Sequence, residues 1–442
     1  MLPALAARTI AVEPPRGLVR AIGRWSLAAL MVNTMIGASV FGLPSLIAAH
    51  LGRLSPAAYL VAAAGVGVIG ACLAEVGSQF REAGGPYLYA REAFGSFAAI
   101  QIAWLTWLSR IAASSAGANL FISYLSEFRP EVIDPLPRAA IAGVLVLLLA
   151  TVNYRGVHTG ARLSDFFTLA KLAIMGFFVC GGLVALAMSP DVRVTPSEVP
   201  GTRADWFAAI ILMVYAYGGF DAALVAAGET RNPRQDVPAA LLLALAGCTI
   251  LFVSLQYVVI HTLPDTAATT KPLVDAARRF SGPIGGSFVA IGSLISIYGY
   301  LSANMLHTPR LAFALGEHGD FPRLFATIHP RFRTPSVSIA TFAALLLLFA
   351  VVGDFRWNAT LSVVSRLFVY GSIAAALPAL RRKQPDADAL RLPGGWIFSL
   401  LALVFTAVLI TQTDVAGVAV VAITFGLAVF TWKATRARLH GR

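Results

Sequence analysis

Charge is scarce in this chain. Only 13% of its 442 residues are Asp, Glu, Lys or Arg, where a soluble domain carries about 25%. Acidic residues are the scarcer kind, 22 against 34 basic ones. Cysteine is nearly missing. Cys72, Cys180 and Cys248 lie far apart in apolar runs, which argues against a disulfide frame and a cysteine metal site. The seven histidines are scattered and form no His-x-x-x-His or Glu-x-x-His pairing, which argues against a catalytic metal. No phosphate-cradling glycine loop occurs, which excludes an ATP-driven pump on this chain alone. No cofactor and no metal are expected. A cleavable secretory pattern is also missing ahead of the first apolar run, so the first 24 residues, with their four arginines, read as a cytoplasmic tail.

Apolar sequence fills the rest, and mean hydropathy is +0.75. Twelve apolar runs can be marked, at 25–49, 55–79, 96–126, 138–153, 162–188, 205–228, 238–262, 284–312, 336–353, 358–380, 396–413 and 415–433. A helix needs about 20 residues to cross a bilayer. The pattern predicts an all-α membrane protein of about twelve transmembrane helices, the last two forming a hairpin at Thr413-Asp414. The basic residues are distributed unevenly. With the N-terminus in the cytoplasm, 22 of the 34 fall on the inner side and 9 on the outer. That bias predicts a multi-pass protein of the cell membrane with both termini cytoplasmic. It makes the net charge of +12 a topology signal rather than a nucleic-acid footprint. The basic edge also suits anionic lipid headgroups.

Two runs carry their own weak points. Run 1 contains "NTMIGASVFGLP", Asn33 to Pro44, with Gly37, Ala38, Ser39 and Gly42 at its middle. Run 6 contains "YAYGGFD", with Gly218-Gly219 beside Asp221. An isolated glycine in a membrane helix usually marks close packing. Two matched clusters five runs apart predict instead two five-helix units of opposite orientation, as in inverted-repeat carriers. A break exposes N–H groups at one end and C=O groups at the other, which membrane depth tolerates only where they line a cavity. Such ends suit a carboxylate and an ammonium, the two charges of an amino acid.

These residues resemble the amino acid–polyamine–organocation (APC) permeases. The resemblance runs from run 1 to about Gly395. It is carried by "MIGASVFGLP", "AEVGSQFREAGGPYLYAREAFG", "NYRGV", "GFDAALVAAGETRNPRQDVPAAL", "RLAFALGEHGDFPRLFATIHPRFRTP" and "ALRRKQPDADALRLPGG" in that order. It implies a leucine-transporter-type 5+5 inverted repeat with interrupted helices 1 and 6, plus two C-terminal helices. The expected units are a tail over 1–24, repeats over 25–188 and 189–380, a loop over 381–395, helices 11–12 over 396–433 and a tail over 434–442. The implied substrate is an amino acid or related amine, the implied coupling ion a proton.

The resemblance also implies site residues. Carried over by position, helix 1 offers Met35 (its carbonyl), Gly37, Ala38 and Ser39. Helix 6 offers Tyr215, Ala216, Gly218 and Gly219, with Tyr215 where the family often has an aromatic lid. Ser39 departs from the usual glycine, which points to a smaller or differently tilted substrate. A lysine at the place of Lys171 resembles a built-in substitute for a sodium ion.

The charges within the runs leave alternatives. Lys171 either snorkels to the cytoplasm or sits buried, able to release and regain a proton. Asp221 couples protons, holds a gate, or pins the helix 6 break by a hydrogen bond. Arg110 meets a substrate carboxylate or pairs with Asp221 or Glu75. Glu75 is expected to order an inner gate, and Arg366 has no evident partner. Ser293, Ser296, Tyr300 and Asn304 share one helical face in run 8, with Asn304 the candidate site residue. The leading reading is a sodium-independent, proton-coupled carrier. The alternatives are an exchanger or exporter without net proton coupling, a transporter-fold sensor, or a membrane enzyme. The sequence leaves the oligomeric state open.

Overall fold

The computed structural model describes residues 23–80, 85–156, 160–221, 230, 232–385, 389–413 and 415–440. The described residues are overwhelmingly helical. A chain this apolar folds so because helices satisfy every backbone N–H and C=O internally, which lipid cannot do. Among the described residues, seven helical segments are long and apolar enough to cross a membrane, and two shorter apolar helices span Ser336–Val352 and Gly395–Ile410.

Run 1 is two helices, α1 (Arg24–Met35) and α2 (Ser39–Leu51). The chain leaves helical geometry at Ile36, whose ψ is 76°, and a tight turn follows in which Gly37 N donates to Met35 O at 2.8 Å. Then come α3 (Ser55–Ser78), a short connecting helix α4 (Gly85–Phe94), α5 (Ser96–Leu125), α6 (Pro135–Tyr154) and α7 (Gly160–Met188). Helix α8 (Arg203–Tyr217) opens on a capping box, in which Thr202 and Asp205 satisfy each other's backbone N–H groups. It stops at the Gly218-Gly219 pair. Gly218 is extended (ψ 157°) and Gly219 has φ +112°, a left-handed value that glycine adopts freely. Helical geometry resumes at Phe220 and Asp221. The rest of run 6, over 222–228, lies outside the described residues.

The second half continues with α9 (Pro233–Thr262), α10 (Pro272–Glu317), α11 (Ser336–Val352), α12 (Phe355–Lys383), α13 (Gly395–Ile410) and α14 (Val415–His440). Helix α10 is two pieces joined at a kink, where Gly282 has φ +73°. Helix α5 is the hub. It packs on α12, α10, α4, α11 and α14. Helix α1 lies on α9 as α8 lies on α3, and α5 lies on α12 as α7 lies on α10. Helix α2 meets α8 and α6 meets α11, while α13 packs against α3 and α12. The large side chains buried below 2% exposure, among them Tyr124, Tyr217, Tyr370, Phe41 and Phe220, fill the space between these helices. Membrane-protein interiors are held by such packing rather than by escape from water.

Candidate functional site

The two breaks meet. A Cβ built on Gly219 would stand 2.5 Å from the Thr34 carbonyl oxygen, and one on Gly218 would stand 1.3 Å from Arg366 Nη1. Glycine at 219 lets the end of α1 touch the helix 6 break, and glycine at 218 leaves the space in which the α12 guanidinium lies against the backbone. Beside this junction is a cavity of about 470 Å³, lined by α1, α2, α5, α6, α7, α8, α10 and α12. That volume is ample for one amino acid, and small-ligand cavities run from about 300 to 1,000 Å³.

On the helix 1 side, Met35, Gly37, Ala38 and Ser39 all line the cavity. The N–H groups of Ser39 and Val40, at the start of α2, precede the first Phe41 N to Ala38 O bond and carry the positive end of its dipole. Ser39 is buried, and its hydroxyl has no protein partner among the described residues. The Met35 carbonyl already accepts Gly37 N and keeps one lone pair. Gly37 faces the Tyr300 ring, which a Cβ there would approach to 3.3 Å.

On the helix 6 side, Tyr215, Gly218 and Gly219 line the cavity. The Tyr215 hydroxyl donates to Ala113 O on α5 (3.2 Å) and its ring packs edge-on to Phe355. Ala216 is buried but not on the lining, because the next residue on a helix points about 100° away. Asp221 Oδ1 accepts the Gly219 N–H at 3.2 Å, a bond of the kind the pinning alternative requires. It also lines the cavity, near Tyr370 and Arg366.

Lys171 does not snorkel. It is buried, and its Nζ donates to both the backbone carbonyl and the Oδ1 of Asn33, each at 3.1 Å. Its ammonium thus occupies the carbonyl end of α1, where the helix dipole favours a cation. Arg110 lines the cavity and, among the described residues, its side chain makes no ion pair. Neither anticipated partner is used. Glu75 lies outside the cavity, fully buried, and takes Arg381 in a fork: Nε to Oε1 at 2.6 Å, Nη2 to Oε2 at 2.7 Å. Leu392 N adds a third bond to Oε2 at 2.8 Å. Glu75 therefore ties α3 to α12 and the segment after it.

Of the run 8 stripe, Ser296, Tyr300 and Asn304 line the cavity and Ser293 does not. The Ser293 hydroxyl bonds back to Val289 O, and Asn304 Nδ2 bonds to Tyr300 O. Sequence reasoning missed Thr106, Ser109, Asn153, Thr168, His307 and Arg366 on the lining. A signal for two of them was present: Thr106, Ser109, Arg110 and Ala113 fall at i, i+3, i+4 and i+7, one face of α5. Among the described residues, no cluster of His, Cys, Asp and Glu is arranged to hold a metal.

A broken-helix cavity inside a bundle of apolar helices defines a multi-pass membrane protein with a central small-molecule site. Residues 22–432 match the family described as "Amino acid permease", and the chain belongs to that family. It is a family of transporters, so the protein is a transporter and not an enzyme. Three curated Bacillus subtilis proteins are similar along most of their length. The methylthioribose transporter is 27% identical over 85% of this chain and 84% of its own. The serine/threonine exchanger is 26% identical over 94% and 97%. The branched-chain amino acid permease is 25% identical over 90% and 89%.

Proposed function

We propose that the protein is a secondary active transporter that carries amino acids across the cell membrane by alternating access, independent of sodium and coupled to protons. The observation that carries this reading is the Lys171 ammonium on the Asn33 carbonyl and amide oxygens. A fixed cation at the end of α1 takes the place a sodium ion would need, and a lysine can lose and regain its charge as the cavity opens and closes. The α2 N-terminus then faces the substrate carboxylate, and free carbonyl lone pairs near Met35 face its ammonium. Met35, Gly37, Ala38, Ser39, Tyr215, Gly218, Gly219, Asn304 and Arg110 form the substrate shell, with Ala216 buried behind it. Asp221 and Lys171 are the coupling pair, and Glu75 holds the inner side together.

The fold assigned to this function has twelve spans in a 5+5 inverted repeat, counting α1 with α2 as helix 1, and both termini in the cytoplasm. The exchange of packing partners supports it: helix 1 on helix 7 mirrors helix 6 on helix 2, and helix 3 on helix 10 mirrors helix 8 on helix 5. Exchange of an internal for an external amino acid, without net proton coupling, is the second reading, favoured by the long match to the serine/threonine exchanger.

Uptake of labelled amino acids into proteoliposomes at fixed pH tests the proposal. Uptake should be undiminished when sodium is replaced by choline, and Lys171→Met should reduce it by about tenfold or more. Uptake that collapses without sodium contradicts the reading. Uptake that occurs only against preloaded amino acid supports exchange.

A further inference from the structure

Among the described residues, the charges on the cavity wall do not balance. Arg110, Lys171 and Arg366 line it, and Asp221 is the single carboxylate among the described lining residues. None of the three cations forms an ion pair with Asp221 among the described residues. Lys171 is held by the neutral oxygens of Asn33. Arg366 Nη1 is buried without a hydrogen-bond partner, although the guanidinium lies near Asp221 and Tyr370. The Arg110 side chain has no ion pair or hydrogen bond among the described residues. Arg110 on α5 and Arg366 on α12 both line this one cavity, together with Tyr300.

An unmatched positive charge is costly to enclose at membrane depth. The occluded state of an alternating-access carrier encloses this one with its substrate. A zwitterion adds no net charge and leaves the imbalance as it was. A substrate with one further negative charge offsets it. With Lys171 in its neutral form, the described lining charges, two guanidiniums and Asp221, sum with such a substrate to no net charge. Guanidinium groups match a carboxylate in a two-point geometry that an ammonium cannot offer.

We infer that the transported amino acid carries an acidic side chain, whose carboxylate lies against Arg366 and Arg110 while its backbone groups occupy the helix 1 break. This rests on the transporter reading above and goes beyond it to the substrate class. Gly218 is part of the same device, because it clears the space that Arg366 Nη1 fills.

The test is uptake and competition in proteoliposomes with glutamate, aspartate, serine, leucine and arginine. The acidic pair should be transported and should compete about tenfold or more better than the others, the discrimination expected of hydrogen bonds to a charged group. Arg366→Gln and Arg110→Gln, purified as monodisperse protein, should each lose acidic uptake by a similar factor, and Arg366→Lys should retain part of it. Uptake of serine, leucine or arginine without glutamate or aspartate overturns this inference and leaves the transporter reading standing. Uptake of none of the five by monodisperse wild-type protein overturns both.

Discussion

Gly218 and Arg366 occupy a single space: the guanidinium Nη1 stands where a side chain on Gly218 would begin, 1.3 Å from its ideal Cβ. The Gly-Gly pair in helix 6 is therefore two separate requirements, one for the α12 arginine and one for the Thr34 carbonyl. Gly218→Ala should destabilise the protein by about 1–3 kcal/mol, as overpacking does. Adding Arg366→Ala should recover part of that loss. Thermal unfolding of the purified single and double variants reads the difference, and equal melting temperatures would place the guanidinium elsewhere.

Ser39 is the cavity residue whose change should separate recognition from folding. It is the first residue of α2, buried, and its hydroxyl has no protein partner to lose among the described residues. Ser39→Gly should cost under about 1 kcal/mol of stability yet alter the order of preferred substrates. A competition panel run beside a melting curve checks both halves, and an unchanged panel would remove Ser39 from the substrate shell.

The Glu75–Arg381 fork lies outside the cavity and should behave oppositely. Glu75 is fully buried and accepts three hydrogen bonds. Glu75→Ala leaves Arg381 and Leu392 N without their acceptor, and removing one member of a buried pair costs about 3 kcal/mol. Substrate selectivity should not change in the protein that remains folded. The same competition panel, normalised to folded protein, measures this.

Tyr87 on α4 donates to the Asp320 carboxylate in the segment after α10, and Arg91 Nη1 reaches the same phenol at 3.3 Å. Burial, and after it the Asp320 hydrogen bond, push the Tyr87 phenol up to about 12. A raised value in the folded protein means that its contribution is complete below the unfolded value of about 10 and fades as pH rises through about 12. Tyr87→Phe should therefore lower stability by about 1–2 kcal/mol, equally at about pH 6 and about pH 8. A cost that changes between those two pH values, read by thermal unfolding, would contradict this assignment.

The helices themselves were legible from hydropathy because lipid imposes one rule on every span. The breaks were legible because glycine and small residues interrupt an otherwise continuous run. Long-range pairing was not. Nothing in "LSRIAASS" says that Arg110 would form no ion pair among the described residues, and nothing near Glu75 points to Arg381, 306 residues away. Arg366 was visible as a charge in run 10 but not as a cavity residue, since its place depends on the space left by Gly218. Ala216 shows the reverse limit: a motif carried over residue by residue ignores which way each side chain turns on its helix.

A cryo-electron-microscopy structure with the transported amino acid bound would show whether the two helix breaks form the substrate site. Its density should place the carboxylate at the first N–H groups of α2, beside Ala38 and Ser39, the ammonium toward the carbonyl end of α1, and the side chain toward Arg366. Density held away from both helix breaks, or a sodium ion in place of the Lys171 ammonium at Asn33, would contradict it.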